Sequence, residues 1–369
     1  MVVFGPDSVH THRWADYVRR AGWDVVWVAY GETGRNAAGI IPVVSLETGG
    51  HFAFVRTLVD IFRSSRRFRR LLRQLEPDVI QTHWLLGPAW IAALAGRHPI
   101  VATAWGSDVL LPFPGRGAAR LLTRVLGRQL DAITHSSQTL ERGLLDVGLP
   151  PERLHRVMHG VDRTHFKPLP ADPLLLKELG ITTTSPVILS PRGIAPVYAP
   201  ETVVRAFAKV VARVPCTLLI RVPPDQIEEW EDLRSTLAPD VVESIVTFPG
   251  VDHDVVPRLL ASSDIVISVS RSEGASVTVM EALLCQRPVI VSDIPQNREW
   301  VRDDRFGTIV PVGDADALAA AIENVLGDGD GAATKARDAA LSLPELADGP
   351  AQVLPLYASL LAETIRTGD

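Results

Sequence analysis

The chain has 369 residues, of which 46% are hydrophobic and 22% charged, and its formal net charge is −6. That is material for two ordinary globular cores at roughly 150 residues per domain, and the acidic balance argues against a nucleic-acid binder, whose surface is strongly basic. Cys216 and Cys285 are the only cysteines and form no Cys-x2-Cys pair; the chain reads as a reduced, cytoplasmic protein without a metal knuckle.

The first six residues, Met1–Pro6, read as a short apolar strand rather than a leader peptide. No stretch approaches the roughly 18 apolar residues of a membrane-spanning helix. Short apolar runs then alternate with longer amphipathic ones. Val2–Phe4, Val25–Ala29, Val79–Gln81, Ile100–Thr103 and Ala132–His135 read as strands, and His12–Ala21, Phe54–Leu75, Pro88–Ala95, Ala118–Leu130 and Gln138–Val147 as helices. Runs that are apolar throughout suit a parallel sheet covered on both faces.

Prolines 150, 151, 168, 170 and 173 interrupt this rhythm and mark an interdomain connection. A second series follows, with strands Val187–Ser190, Thr217–Val222, Ser244–Phe248, Ile265–Ser268, Val289–Val291 and Thr308–Val310. Its helices are Glu201–Val211, Gln226–Leu233 and Val277–Cys285, then one marked by Leu318, Ile322, Val325 and Leu326, begun by Asp314 and ended by Gly327. The polar, glycine-bearing segment Asp328–Thr334 reads as a mobile loop, and a last helix spans Ala351–Ile365. Two doubly wound α/β domains are predicted: 1–165, completed by 351–369, and 166–350, with a cleft outside the carboxyl ends of their sheets. A dinucleotide dehydrogenase is disfavoured, because the loop after the first strand reads Gly5-Pro-Asp-Ser-Val-His-Thr-His12 instead of Gly-x-Gly-x-x-Gly.

The stretch Ser268–Ser292 carries the chemistry. It reads as strand, glycine-containing loop, helix, strand, and the helix start offers unpaired N–H groups and a positive dipole end to a phosphate. Ser276, Val277 and Thr278 are candidates to donate those amides. Glu273 precedes the helix and Glu281 lies inside it, some 5–8 Å along the axis at about 1.5 Å per residue. One carboxylate can then face a sugar hydroxyl and the other a ribose. The bland alternative makes Glu273 a helix cap and Glu281 a surface charge.

Glu273-x7-Glu281, together with Gln81-Thr-His-Trp84, Trp105-Gly-Ser-Asp108, His159-Gly-Val-Asp162, Pro191-Arg192 and Val291-Ser-Asp-Ile-Pro295, resembles the retaining glycosyltransferases of family 4 with the GT-B fold. Asn297-Arg-Glu-Trp300 looks like a subgroup of that family. The resemblance implies two facing Rossmann-like domains, an acceptor side at the N-terminus and a nucleoside diphosphate sugar in the C-terminal domain. It implies that Glu281 accepts from the ribose, that Glu273 holds the transferring sugar, that Gly274 and the amides of Ala275–Val277 line the sugar and distal phosphate, and that Arg192 pairs with the diphosphate. Transfer would proceed by front-face attack without a metal or other cofactor.

Two departures from the family pattern stand out. The lysine usually found five or six residues beyond the arginine is replaced by Val197 and Tyr198; Tyr198 offers a phenol, and Arg221 is the candidate substitute cation. The usual histidine before Gly106 is Trp105, a catalytic candidate that cannot exchange a proton at neutral pH but could pack its ring on a sugar face and donate its N–H to the sugar. On the acceptor side, His10, His12, Arg13, His83 and Asp108 sit at strand-end loops, with His10 a catalytic candidate. A sugar-nucleotide epimerase of the same fold and a catalytically weak nucleotide-sugar-binding protein are the competing functions. The arginine-rich stretch Arg63–Arg73 reads as an amphipathic helix packed on the sheet with its arginines in water, in preference to a contact with anionic lipid.

Overall fold

A computed structural model of the chain describes all residues except 32–36, 43–49, 98, 111–115, 158–160, 183, 302, 304–305, 343–349 and 368–369. The chain divides into two compact units, Met1–His159 with Asp348–Asp369, and Gly160–Ala347. The boundary thus falls ahead of the 165/166 division read from the proline cluster.

The first unit runs β1 (Val2–Gly5), α1 (Val9–Arg20), β2 (Val26–Tyr30), β3 (Ile40–Ile41), α2 (Gly50–Leu75), β4 (Ile80–His83), α3 (Trp90–Ala95), β5 (Ile100–Thr103), α4 (Arg116–Gly127), β6 (Ala132–His135), α5 (Gln138–Val147) and β7 (Leu154–Arg156). Its strands pair in parallel in the order β3-β2-β1-β4-β5-β6-β7. The chain therefore winds outward from β1 in one direction and then in the other. The edge strands β3 and β7 are too short to show a periodicity in the sequence.

The second unit runs α6 (Pro173–Glu178), β8 (Val187–Ser190), α7 (Pro200–Val211), β9 (Thr217–Arg221), α8 (Ile227–Arg234), α9 (Pro239–Glu243), β10 (Ile245–Phe248), α10 (Val256–Ala261), β11 (Ile265–Ser268), α11 (Val277–Leu284), β12 (Val289–Ser292), α12 (Pro295–Arg298), β13 (Thr308–Val310), α13 (Ala315–Asp328) and α14 (Asp330–Ser342). Its parallel order is β10-β9-β8-β11-β12-β13. The central strands are buried on both faces, which is why they read as unbroken apolar runs. Asp314 caps α13 by accepting from the amides of Asp316 (3.0 Å) and Ala317 (2.9 Å), so the Asp-x-Asp spacing there is a helix start.

One expectation fails here. Segment Asp328–Thr334 is not a loop: α13 continues through Gly327 to Asp328, and α14 starts at Asp330. Buried Ala332, Ala336 and Ala339 give α14 an apolar face packed against α11, and Lys335 bonds back to Asp328 at 3.1 Å. Alanine's helix propensity and this packing outweigh the glycines.

The chain ends in α15 (Leu354–Thr367), which returns to the first unit. Tyr357 is fully buried there; its hydroxyl donates to Gln81 Oε1 at 2.6 Å and accepts from Trp14 Nε1 at 3.0 Å. Gln81 in turn donates to Thr103 Oγ1 at 2.8 Å. Burial pushes the Tyr357 phenol well above its ordinary value; it stays neutral and serves as a hydrogen-bonding pin.

Candidate functional site

In the second unit the strand order reverses between β8 and β11, and both carboxyl ends open at that switch point, the usual ligand position in a doubly wound sheet. Arg192 follows β8 and Glu273 follows β11. Arg192 Nη2 donates to Glu273 Oε2 at 3.0 Å, and its Nη1 donates to Thr278 Oγ1 at 3.2 Å. Ser270 Oγ donates to the other oxygen, Glu273 Oε1, at 2.7 Å. The carboxylate is 8% exposed, so it is desolvated and held in one orientation by an arginine and a hydroxyl.

The bland alternatives do not describe either glutamate. Ser276 is the N-cap residue of α11 but its side chain makes no capping bond, and Glu273 is bonded to Arg192 and Ser270. Glu281 is buried within α11 rather than at the surface. Burial, followed by the Glu281 charge, pushes the neighbouring Cys285 thiol up to about 12.

The Ser276 hydroxyl turns inward to Asn297 Oδ1. Asn297 Nδ2 donates to the Ser292 carbonyl at 2.8 Å and to Ser292 Oγ at 3.3 Å, and Ser292 Oγ donates to the Ser270 carbonyl. Ser270, Ser292 and Asn297 are each 0% exposed and Ser276 2%. A buried polar chain therefore ties α12 and the end of β12 to both sides of the Glu273 loop. The sequence marked Asn297 only as part of a subgroup motif and passed over Ser270; a polar residue at an otherwise apolar strand end was the available signal.

Gly274, Ala275, Ser276 and Val277 form the turn into α11, where the Val277 amide donates to the Ala275 carbonyl at 2.6 Å. Tyr198 lies on a 3-10 turn, Pro196–Tyr198, with the Arg192 guanidinium 4.7 Å from its ring centroid. The guanidinium thus rests on the face of the phenol ring. The Arg271 amide donates to the Val197 carbonyl at 2.7 Å, joining this turn to the Glu273 loop. Arg221 is the last residue of β9, and its side chain lies against Gly250: a Cβ on Gly250 would sit 3.2 Å from Arg221 Nε. Gly250 has φ +137, a conformation that glycine adopts without strain.

The first unit has its own reversal, between β1 and β4. Gly5 is required there by close approach, since an added Cβ would meet His83 Cβ at 2.9 Å. His83 ends β4 and is buried; Trp105 Nε1 donates to its Nδ1 at 3.3 Å, and the two rings lie 5.7 Å apart. The Trp105 N–H, expected to be available to a sugar, is committed to His83. Asp108 accepts from the amides of Leu85 (2.9 Å), Trp105 (3.1 Å) and Gly106 (2.9 Å). Its carboxylate is therefore engaged in bracing the loop backbone, and burial raises its pKa despite the three amides. His12 pairs with Asp7 at 2.7 Å and packs edge-on against Trp27. Arg13 is half-buried on α1. The His10 backbone lies in α1, while its side chain lies outside the described residues; His159 and Gly160 of the His-Gly-Val-Asp motif also fall outside them.

The comparisons with known proteins fit this arrangement. Residues 186–328 match the family described as glycosyl transferases group 1, and residues 2–137 match the one described as glycosyl transferase 4-like. The chain belongs to the group 1, family 4 glycosyltransferases. Among relatives of this glycosyltransferase, the GDP-mannose-dependent alpha-(1-6)-phosphatidylinositol monomannoside mannosyltransferase of Mycolicibacterium smegmatis is 28% identical over 278 residues, covering 70% of each chain. The N-acetyl-alpha-D-glucosaminyl L-malate synthase of Bacillus anthracis is 27% identical over 66% of this chain and 63% of its own. Among solved structures, a glycosyltransferase from Rickettsia africae superposes with TM-score 0.76 at 19% identity, covering 98% of both chains. Anabaena HepE in complex with UDP and glucose superposes with TM-score 0.77 at 17% identity, over 97% of this chain and 99% of that one. The glycosyltransferase has the α/β GT-B fold of two Rossmann-like domains with parallel sheets.

Proposed function

We propose that the chain transfers a glycosyl group from a nucleoside diphosphate sugar, held by the second unit, to an acceptor recognised by the first. The single observation that carries this reading is the Ser270–Glu273–Arg192–Thr278 cluster at the switch point, next to the start of α11 and with Glu281 buried inside that helix. The mannosyltransferase relative is named for a GDP-sugar donor and the HepE structure for UDP and glucose; a donor of the same class suits this cluster.

In this reading the diphosphate lies against the start of α11, where the helix dipole and the Arg192 fork favour its charge. Donor binding draws Arg192 from Glu273 toward the phosphates. Glu273 then accepts hydroxyls of the transferring sugar while Ser270 holds its second oxygen, and Glu281 accepts from the ribose. Preorganised positive charge on the departing diphosphate lowers the barrier to breaking the anomeric bond. The acceptor attacks from the face the diphosphate leaves, its proton passes to a diphosphate oxygen, and the anomeric configuration is retained. No metal enters these steps. Trp105 and His83 act as a paired wall of the first unit, so neither is assigned a proton transfer. The epimerase alternative is not favoured, since the two relatives compared are named as a transferase and a synthase joining a sugar to an acceptor.

Incubation with GDP- and UDP-sugars, following nucleoside diphosphate release with and without candidate acceptors, tests the proposal. Release that rises with acceptor supports it. Acceptor-independent conversion to an epimer, or silence with every donor at high protein concentration, would count against it.

A further inference from the structure

We infer that the outer face of α2 and α4 in the first unit docks on an anionic lipid bilayer. The argument is independent of the donor site. α2 divides cleanly along its length: Ile61, Ser64, Ser65, Phe68 and Leu72 are buried against the sheet, while Leu58, Val59 and Phe62 on the opposite face are 37%, 41% and 54% exposed. From Arg63 onward that same outer face carries exposed Arg66, Arg67, Arg70 and Arg73. Asp60 is the one acidic residue between Arg56 and Arg73, and it lies 3.9 Å from Arg63.

α4 repeats the composition. Leu121 and Val125, one turn apart, are 57% and 54% exposed and flanked by exposed Arg124; the helix contains no acidic residue, and its Arg120 is set aside because its Nη2 holds the Asp146 carbonyl. Both helices pack on the buried α3, so their outer faces look away from the same side of the sheet. Among the described residues, ten large hydrophobic side chains are exposed, and five of them lie on these two helices. Arginines alone would be explained by solvation. Arginines interleaved with half of the exposed large apolar side chains, in a chain whose net charge is −6, match a surface that offers phosphate charge above hydrocarbon. The arginine stems extend the apolar area while the guanidinium heads reach phosphates. Arg69 is excluded from this role, because its Nε and Nη2 hold the Ala95 and Leu94 carbonyls.

The test uses the full chain and sedimentation with vesicles of phosphatidylcholine alone or with added phosphatidylglycerol. Binding is expected only to the anionic vesicles and should weaken in high salt. The quadruple variant Arg63→Gln, Arg66→Gln, Arg67→Gln, Arg70→Gln should lose affinity by about fivefold per arginine, with an unchanged thermal midpoint because these side chains face solvent. Insertion is read separately, by placing an environment-sensitive fluorophore on the variant Leu121→Cys. Cys216 and Cys285 are buried, with thiols pushed up to about 11 and about 12, and will not compete for the label. A fluorescence rise on anionic vesicles supports docking. Failure to sediment at low salt, or sedimentation unchanged in the quadruple variant, would overturn it. Equal retention on heparin with a silent probe would assign the face to a soluble polyanion and also overturn it.

Discussion

Replacing Asn297 with alanine is the sharpest test of how the donor loop is held. The side chain is 0% exposed and serves as acceptor for the Ser276 hydroxyl and donor to the Ser292 carbonyl and hydroxyl. Truncation leaves the Ser276 hydroxyl without its partner in a dry environment, while the Ser292 carbonyl loses one of two bonds and keeps the Ile294 amide at 2.9 Å. At about 1–3 kcal/mol for the orphaned hydroxyl and about 0.5–1.5 kcal/mol for the lost carbonyl bond, the loss is about 2–4 kcal/mol. For a unit the size of Gly160–Ala347 this corresponds to a fall in Tm of roughly 5–15 °C. Ser276→Ala removes the same link from its other end, so the double variant should be less destabilised than the sum, with a coupling of about 0.5–3 kcal/mol. Calorimetry of the four proteins, paired with nucleoside diphosphate titration, gives both numbers. The reasoning predicts that donor affinity falls with stability, because the chain reaches the Ser270 and Glu273 loop. A Tm within a degree of the parent and unaltered nucleotide binding in Asn297→Ala would refute it.

Arg192→Gln removes the fork and leaves Glu273 with Ser270 alone. The partly exposed position of Arg192 limits the folding cost to about 1–2 kcal/mol, while turnover should drop about 100- to 1000-fold if Arg192 stabilises the leaving diphosphate; a steady-state rate near the parent would count against that role. Asp108→Ala strands the amides of Leu85, Trp105 and Gly106, and should destabilise the first unit by about 2–4 kcal/mol, read as an early transition in calorimetry; an unmoved transition would show the loop to be braced otherwise. Stability should also depend on pH in two stages. Burial holds His135 and His155 below the ordinary value of 6.5, so below that pH the unfolded chain takes up protons first and stability is lost as pH falls through the lowered values. Asp172, lowered by the Leu175 amide and Arg258, and Asp293, lowered by Arg298, contribute stability that is present above 3.8 and lost as pH falls further. A Tm that stays level from pH 7 to pH 4 would contradict the histidine stage.

The fold was legible because its strands carry the signature of burial on both faces. Val187–Ser190, Ile265–Ser268 and Ile100–Thr103 have the same bounds in sequence and structure. Elements that owe their existence to tertiary packing were not legible. The two-residue β3 exists by pairing with β2, and α14 forms because three alanines dock on α11 despite a glycine near its start. At the site, a motif singles out residue types but not their partners. Glu273 and Arg192 lie 81 positions apart in sequence and meet only because β8 and β11 are neighbours in the sheet. Likewise, nothing in the composition of Trp105-Gly-Ser-Asp108 tells that its aspartate turns back onto its own loop, or that its tryptophan bonds His83 from the adjacent strand end.

The separate roles given to Glu273 and Glu281 are tested most directly by comparing Glu273→Gln and Glu281→Gln in titrations with the nucleoside diphosphate alone and in turnover of the intact donor. The sugar role predicts that Glu273→Gln keeps nucleoside diphosphate affinity within a fewfold of the parent while turnover collapses. The ribose role predicts that Glu281→Gln weakens binding of the nucleoside diphosphate itself. Parent-like turnover in Glu273→Gln, together with undiminished nucleoside diphosphate binding in Glu281→Gln, would contradict the placement of the donor at this site.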